Sequence, residues 1–84
     1  MIVSFPVNLL ANKPAGAEWL IQNLGPSDVY IARREADANS NGGIKLSVGE
    51  AISFDEPARL FTRTAELWAN VANGSADVRV LRMG

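Results

Sequence analysis

Turn-forming residues cut this sequence at short, fairly even intervals, and that spacing constrains the fold more than any other feature. The breaks are Gly16, Gly25-Pro26-Ser27-Asp28, Asn39-Ser40-Asn41-Gly42-Gly43, Gly49, Asp55-Glu56-Pro57 and Asn73-Gly74. Segments of about four to seven residues lie between them, rich in β-branched and aromatic side chains, too short for ordinary helices and right for strands. Strands are expected near Val3–Leu9, Glu18–Asn23, Asp28–Arg33, Ile44–Leu46, Ala51–Phe54, Leu60–Arg63, Glu66–Ala72 and Ala76–Leu81. About eight short strands in so small a chain predict an all-β fold. The expected form is a small antiparallel β-sandwich, with a jelly roll among the arrangements it allows. A helix over Asp55–Ala72 is the competing reading of that stretch, since it sets Phe61, Ala65 and Trp68 on one stripe.

The strongest local pattern is a closing hairpin. Glu66–Ala72 leads into Asn73-Gly74, and Ser75–Leu81 leads out. Asn-Gly suits the two positive φ angles of a type I′ turn, whose twist matches that of paired strands. In the last strand Ala76, Val78 and Val80 share one face while Asp77 and Arg79 share the other, the alternation of a half-buried antiparallel strand.

The chain has 84 residues and a mass of 9.0 kDa, which points to one domain over residues 1–84. Folding at this size buries roughly 60–65% of the unfolded surface, so the core is modest. Cysteine is absent, so neither a disulfide nor a thiolate-bound metal supplements it. Histidine is absent as well, which removes the commonest general base and zinc ligand. Eight Lys and Arg against nine Asp and Glu give a net charge of −1, without the basic excess of a nucleic-acid binder. Met1–Val7 lacks the basic start of a signal peptide, and no run approaches the ~18–20 apolar residues that span a bilayer. The expectation is a small soluble domain that is no enzyme, holds no cofactor or metal, and contacts neither nucleic acid nor membrane.

Several local patterns invite a chemical reading. Asp37-Ala38-Asn39-Ser40-Asn41-Gly42-Gly43-Ile44 follows the first half of an EF-hand calcium loop. Its twelfth position is Val48 where a bidentate Glu belongs, so a polar Gly-rich loop between strands is the better reading. Glu35 with Asp37, and Asp55 with Glu56, are carboxylate pairs that read as solvated loop charge rather than as an acid–base pair around a pocket. The serines have no histidine to activate them, and Gly42-Gly43 leads into a strand rather than a phosphate-binding helix. Arg33-Arg34 is the one adjacent basic pair, and Arg59, Arg63, Arg79 and Arg82 gather only if the late strands are neighbours.

Two features point to contact with another chain. Trp19 alternates with Leu20, and Trp68 alternates with Leu67 and Ala69, so each of these strands carries apolar residues on both faces. A sheet covered on both sides within one small domain implies that a partner covers the second side. Met1–Leu10 is apolar almost throughout, with Pro6 in the middle, which makes residues 1–10 an edge strand or an N-terminal arm. The expected interface residues are therefore Ile2, Val3, Phe5, Pro6, Leu9, Leu10, Trp19 and Trp68, joined by Arg33 and Arg34.

Three stretches in order resemble small β-sandwich structural proteins of tailed bacteriophages. Trp19–Ile31 is similar to their "I-x-N-x-G … V-Y-I/V-G" opening, and Gly43–Phe54 to their "G-I-x-L-x-x-G-E-x-x-x-F/L" middle. Leu67–Leu81 resembles their "L-Y/W-A-x-x-A-x-G-x-A-D-V-R-V-L" close, so the likeness covers roughly residues 18–82. One departure is Ala32-Arg33-Arg34-Glu35-Ala36-Asp37, where the family often has Gly-Gly or Gly-Asp. The resemblance implies a virion protein assembled in the host cytoplasm. It would be a capsid decoration or cement subunit that self-associates, commonly as a trimer, and docks on the major capsid protein or another virion protein. The alternatives are a head fibre, tail or baseplate component. A free carbohydrate-binding module, with Trp19 or Trp68 stacking on a sugar, is the reading from a different class.

Overall fold

Apolar and polar side chains alternate along the strands, and each strand turns its apolar side inward. The computed structural model describes residues 1–11, 13, 18–55 and 66–83. Eight strands form among them: β1 (Ile2–Val3), β2 (Val7–Asn8), β3 (Glu18–Pro26), β4 (Val29–Ala32), β5 (Ile44–Leu46), β6 (Ala51–Asp55), β7 (Trp68–Asn70) and β8 (Ala76–Arg82). One 3-10 turn, Glu35–Asp37, lies between β4 and β5. In β3, Trp19, Ile21 and Asn23 are buried while Glu18 and Leu24 are exposed; in β8, Ala76 and Val78 are buried and Arg79 and Leu81 are exposed.

The strands make two antiparallel four-stranded sheets, ordered β1-β8-β3-β6 and β2-β7-β4-β5. The first strand pairs with the last, the second with the seventh, the third with the sixth and the fourth with the fifth. The chain is thus one long hairpin rolled over so that successive pairs fall in opposite sheets, and β3–β8 and β4–β7 contacts close the roll. That arrangement is a jelly roll. The all-β antiparallel sandwich expected from the punctuation is the fold.

The core fills the space between the sheets. Val3, Trp19, Ile21, Ala76 and Val78 enter it from the first sheet, and Val29, Ile31, Leu46 and Ala69 from the second. Leu9, Leu10, Leu67 and Val71 close it from the connections. At one end a polar joint crosses the core. The Asn23 Nδ2 donates to the carbonyls of Ser27 and Leu46, both at 2.9 Å, and its Oδ1 accepts from the Gly25 N–H at 2.8 Å. The Asn23 backbone accepts from Gly49 N at 2.7 Å and donates to Glu50 O at 3.0 Å. Every polar group of this buried residue is used, which is what burial demands.

Four expectations change. Asn73-Gly74 does not join a hairpin: β7 lies in the second sheet and β8 in the first, and the turn carries the chain across between them. Gly74 keeps the positive φ expected there, at 75°. Inward-facing residues in both flanking strands are satisfied equally by neighbours in one sheet or by strands in facing sheets, and the long β3 offers β8 the better partner. Val3–Leu9 is two short strands rather than one, with Pro6 at the crossing from the first sheet to the second. Glu66–Ala72 contracts to Trp68–Asn70, whereas Glu18–Asn23 lengthens to Pro26 through a register shift between Asn23 and Pro26. The Leu60–Arg63 strand, and the greater part of the helix weighed over Asp55–Ala72, lie outside the described residues.

Candidate functional site

The outer face of the first sheet carries more apolar surface than a solvated face needs. Leu20 of β3 stands between Ser53 of β6 and Leu81 of β8, and Met83 N continues the ladder by donating to Glu18 O at 2.7 Å. Toward the other end Gln22 lies between Ala51 and Arg79, and Ile2 opposes Asp77. Leu81 is 57% exposed and Ile2 64%, with Leu24 and Met83 also exposed. The charge in this patch is largely self-contained, since Arg79 Nη2 lies 3.4 Å from Asp77 Oδ2. Asp77 also accepts from the Met1 ammonium at 3.1 Å. That hydrogen bond, followed by the one from Arg79, holds its carboxyl below the usual carboxylate range.

The ten residues expected at an interface divide. Val3, Leu9, Leu10 and Trp19 are buried within the subunit, where their side chains build its own core. Trp19 is 5% exposed because odd positions of β3 face inward, and its indole N–H has no hydrogen-bond partner among the described residues. Ile2 and Phe5 are exposed and Pro6 is half-buried. Residues 1–10 pair with their own chain through β1 and β2, each an edge strand of its sheet among the described residues. Trp68 is half-buried on the outer face of the second sheet, where Glu66 accepts its indole N–H. Arg33 and Arg34 are exposed beyond the end of β4 nearest Trp68, and Arg34 pairs with Asp37 at 3.2 Å. The register sets Phe5 beside the 71–75 crossing, at the opposite end from this arginine pair.

Sequence reasoning misses Leu24, Leu81 and Met83. Strand parity carries the signal for Leu81, which alternates with the inward residues Ala76, Val78 and Val80 and so belongs to the outward set with Asp77 and Arg79.

The loop that resembles half an EF-hand is held by its own groups. Asn39 Oδ1 accepts from the backbone of Asn41 (2.9 Å) and Gly42 (3.0 Å), and its Nδ2 donates to Ala36 O at 2.8 Å. Among the described residues no three metal-ligating side chains gather, and no helix is long and apolar enough to cross a membrane. Arg59, Arg63 and Glu56 lie outside the described residues.

A shallow polar pocket of about 220 Å³ opens where the β3–β4 turn meets the β7–β8 crossing, lined by Ser27, Asp28, Tyr30, Ala72 and Asn73. Comparison with known proteins finds no matching family model, no matching curated protein and no matching solved structure.

Proposed function

We propose that this chain is a structural protein of a bacteriophage virion, a capsid decoration or cement subunit that associates with copies of itself and docks on the shell. The observation that supports this most is the outer face of the first sheet, with Ile2, Leu20, Leu24, Leu81 and Met83 on the outward side of a sheet whose other side is already core. A second copy is the occupant the face fits. Its ion pair is internal and the net charge is only −1, so copies meet without strong repulsion. The principal extents are 38 × 24 × 18 Å, so a broad face matches the about 800 Å² per partner of a standard interface.

The jelly-roll topology agrees with this reading by analogy alone, since one fold serves many functions. The resemblance across residues 18–82 supplies the virion. Its matched residues Asn23, Gly25, Leu46, Gly49 and Glu50 are those that build the joint at one end of the sandwich. Size-exclusion chromatography with light scattering tests the association. The expected mass is a small multiple of 9.0 kDa, a trimer foremost, and Leu81→Glu shifts it to the monomer. A wild-type monomer at about 100 μM overturns the reading. Immunogold labelling of particles then locates the protein on head or tail, and label confined to the tail removes the cement role.

A further inference from the structure

We infer that the pocket lined by Ser27, Asp28, Tyr30, Ala72 and Asn73 is a binding site for one neutral sugar ring, on the opposite sheet from the association face. Its volume, about 220 Å³, lies below the ~300–1,000 Å³ of sites for drug-sized ligands, so its ligand is small. Its walls are pre-formed. Ser27 Oγ donates to Asn73 O at 3.1 Å and Ser27 N to Ser75 O at 3.1 Å, which fixes the two loops against each other. A Cβ at Gly74 would sit 2.7 Å from Ser27 Oγ, so the close approach of these loops depends on a glycine there. A pocket held this way needs little ordering when a ligand enters.

The chemistry of the lining selects the ligand class. Asp28 is a carboxylate acceptor, Ser27 retains acceptor capacity, Asn73 brings a carboxamide and Tyr30 a hydroxyl, so the lining is mostly polar. Lys45 Nζ lies 3.5 Å from Asp28 Oδ2, so the pocket's edge is electrically balanced. Balance disfavours an anion, which would meet Asp28, and a cation, which would meet Lys45. A ring with hydroxyls at its rim uses these donors and acceptors without carrying charge. Trp68 adds a second aromatic on the same face, since it opposes Ala32 while Tyr30 opposes Asn70 on the paired strands. A longer glycan leaving the pocket would therefore cross Trp68 next.

The test is an amide chemical-shift titration of the isotope-labelled full chain with glucose, galactose, mannose and N-acetylglucosamine, with inorganic phosphate as the charged probe. The expected result is saturable shifts at Ser27, Asp28, Tyr30, Ala72 and Asn73 with at least one sugar at millimolar affinity, and none with phosphate. Asp28→Asn should weaken that sugar about tenfold or more, as loss of a charged hydrogen-bond acceptor does. Tyr30→Phe, which keeps the ring and the fold, should weaken it less. No saturable shift with any sugar up to about 100 mM overturns the site. Saturation by phosphate, or sugar binding unchanged by both substitutions, overturns it equally. The readout does not depend on association, so this site and the association face stand or fall separately.

Discussion

The Asn23 side chain donates to the Leu46 carbonyl at 2.9 Å and thereby ties β3 of one sheet to β5 of the other across 23 residues of sequence. The same amide reaches Ser27 O, and its oxygen holds the Gly25 N–H, so one residue fixes the end of the sandwich. Asn23→Ala strands two carbonyls and one N–H at a buried site, each worth about 1–3 kcal/mol when left unpaired. The expected loss is about 3 kcal/mol or more in urea unfolding, a large share of a small domain's stability. Asn23→Asp should be no milder at neutral pH, because a buried carboxylate would face two carbonyl oxygens. Protonation would restore one donor, so its deficit should shrink as the solution is acidified. A deficit independent of pH would show that the two carbonyls find other donors.

Gly25 and Gly49 flank this joint and separate two costs of a side chain. Both hold positive φ, 85° and 86°. A Cβ at Gly49 meets open space, so Gly49→Ala bears only the left-handed backbone, about 1 kcal/mol. A Cβ at Gly25 would lie 2.8 Å from Val48 Cγ1, so Gly25→Ala adds a clash with a stiff branched side chain and should be clearly worse. Val48→Ala, nearly harmless alone at an exposed position, should recover part of the loss in the double variant. Additive effects in that cycle would exclude the clash.

Period-two alternation makes the strands and the inward residues Ile21, Val29, Ile31, Ala76 and Val78 legible in the sequence. It does not reveal which sheet each strand joins, because an inward face is the same whether its neighbour lies beside it or across the core. Asn73-Gly74 shows the limit: the dipeptide marks a tight turn with positive φ, and only long-range pairing decides that it crosses between sheets. Pro6 marks an interruption whose meaning, a change of sheet, is not local. For the candidate surfaces, outward Leu81 follows from parity, while the pocket beside Tyr30 depends on two turns remote in sequence, Ser27-Asp28 and Ala72-Asn73.

Trp19 and Trp68 share the alternation argument but differ in burial, and this gives an optical check. Acrylamide should quench Trp68 readily and Trp19 weakly, so Trp68→Phe leaves a blue-shifted, poorly quenched emission. Trp19→Ala should cost about 3–5 kcal/mol as a core truncation, and Trp68→Ala clearly less. Equal quenching of both indoles contradicts the inward parity of β3.

The Asp77 carboxyl is depressed first by the hydrogen bond from the Met1 ammonium and then by Arg79. A carboxyl with a lowered folded pKa contributes stability that is complete above its unfolded value, about 3.9, and is lost as pH falls through the lower folded value. A peptide extension ahead of Met1 removes the ammonium, so the Asp77 titration in carbon-detected NMR should move up toward the ordinary value, with Arg79 retaining part of the depression. Asp77→Asn should abolish this share of the acid dependence. An unmoved titration after the extension would assign the whole effect to Arg79.

Because residues 1–10 form β1 and β2 of their own subunit, removing them is a folding experiment before it is a binding one. The deletion takes Val3, Leu9 and Leu10 out of the core together with the strands that cover β8 and β7. Each lost Leu alone is worth about 2–5 kcal/mol, so the truncated chain should have no cooperative thermal transition. Ile2→Ser isolates the outward side instead. Ile2 is exposed, so the monomer's stability should hold within about 0.5 kcal/mol. Its contribution to a subunit contact is lost, so the oligomer seen by light scattering should dissociate at higher protein concentration than the wild type. If Ile2→Ser leaves association untouched while Leu81→Glu abolishes it, the contact is confined to the Leu20–Leu81 end of the face.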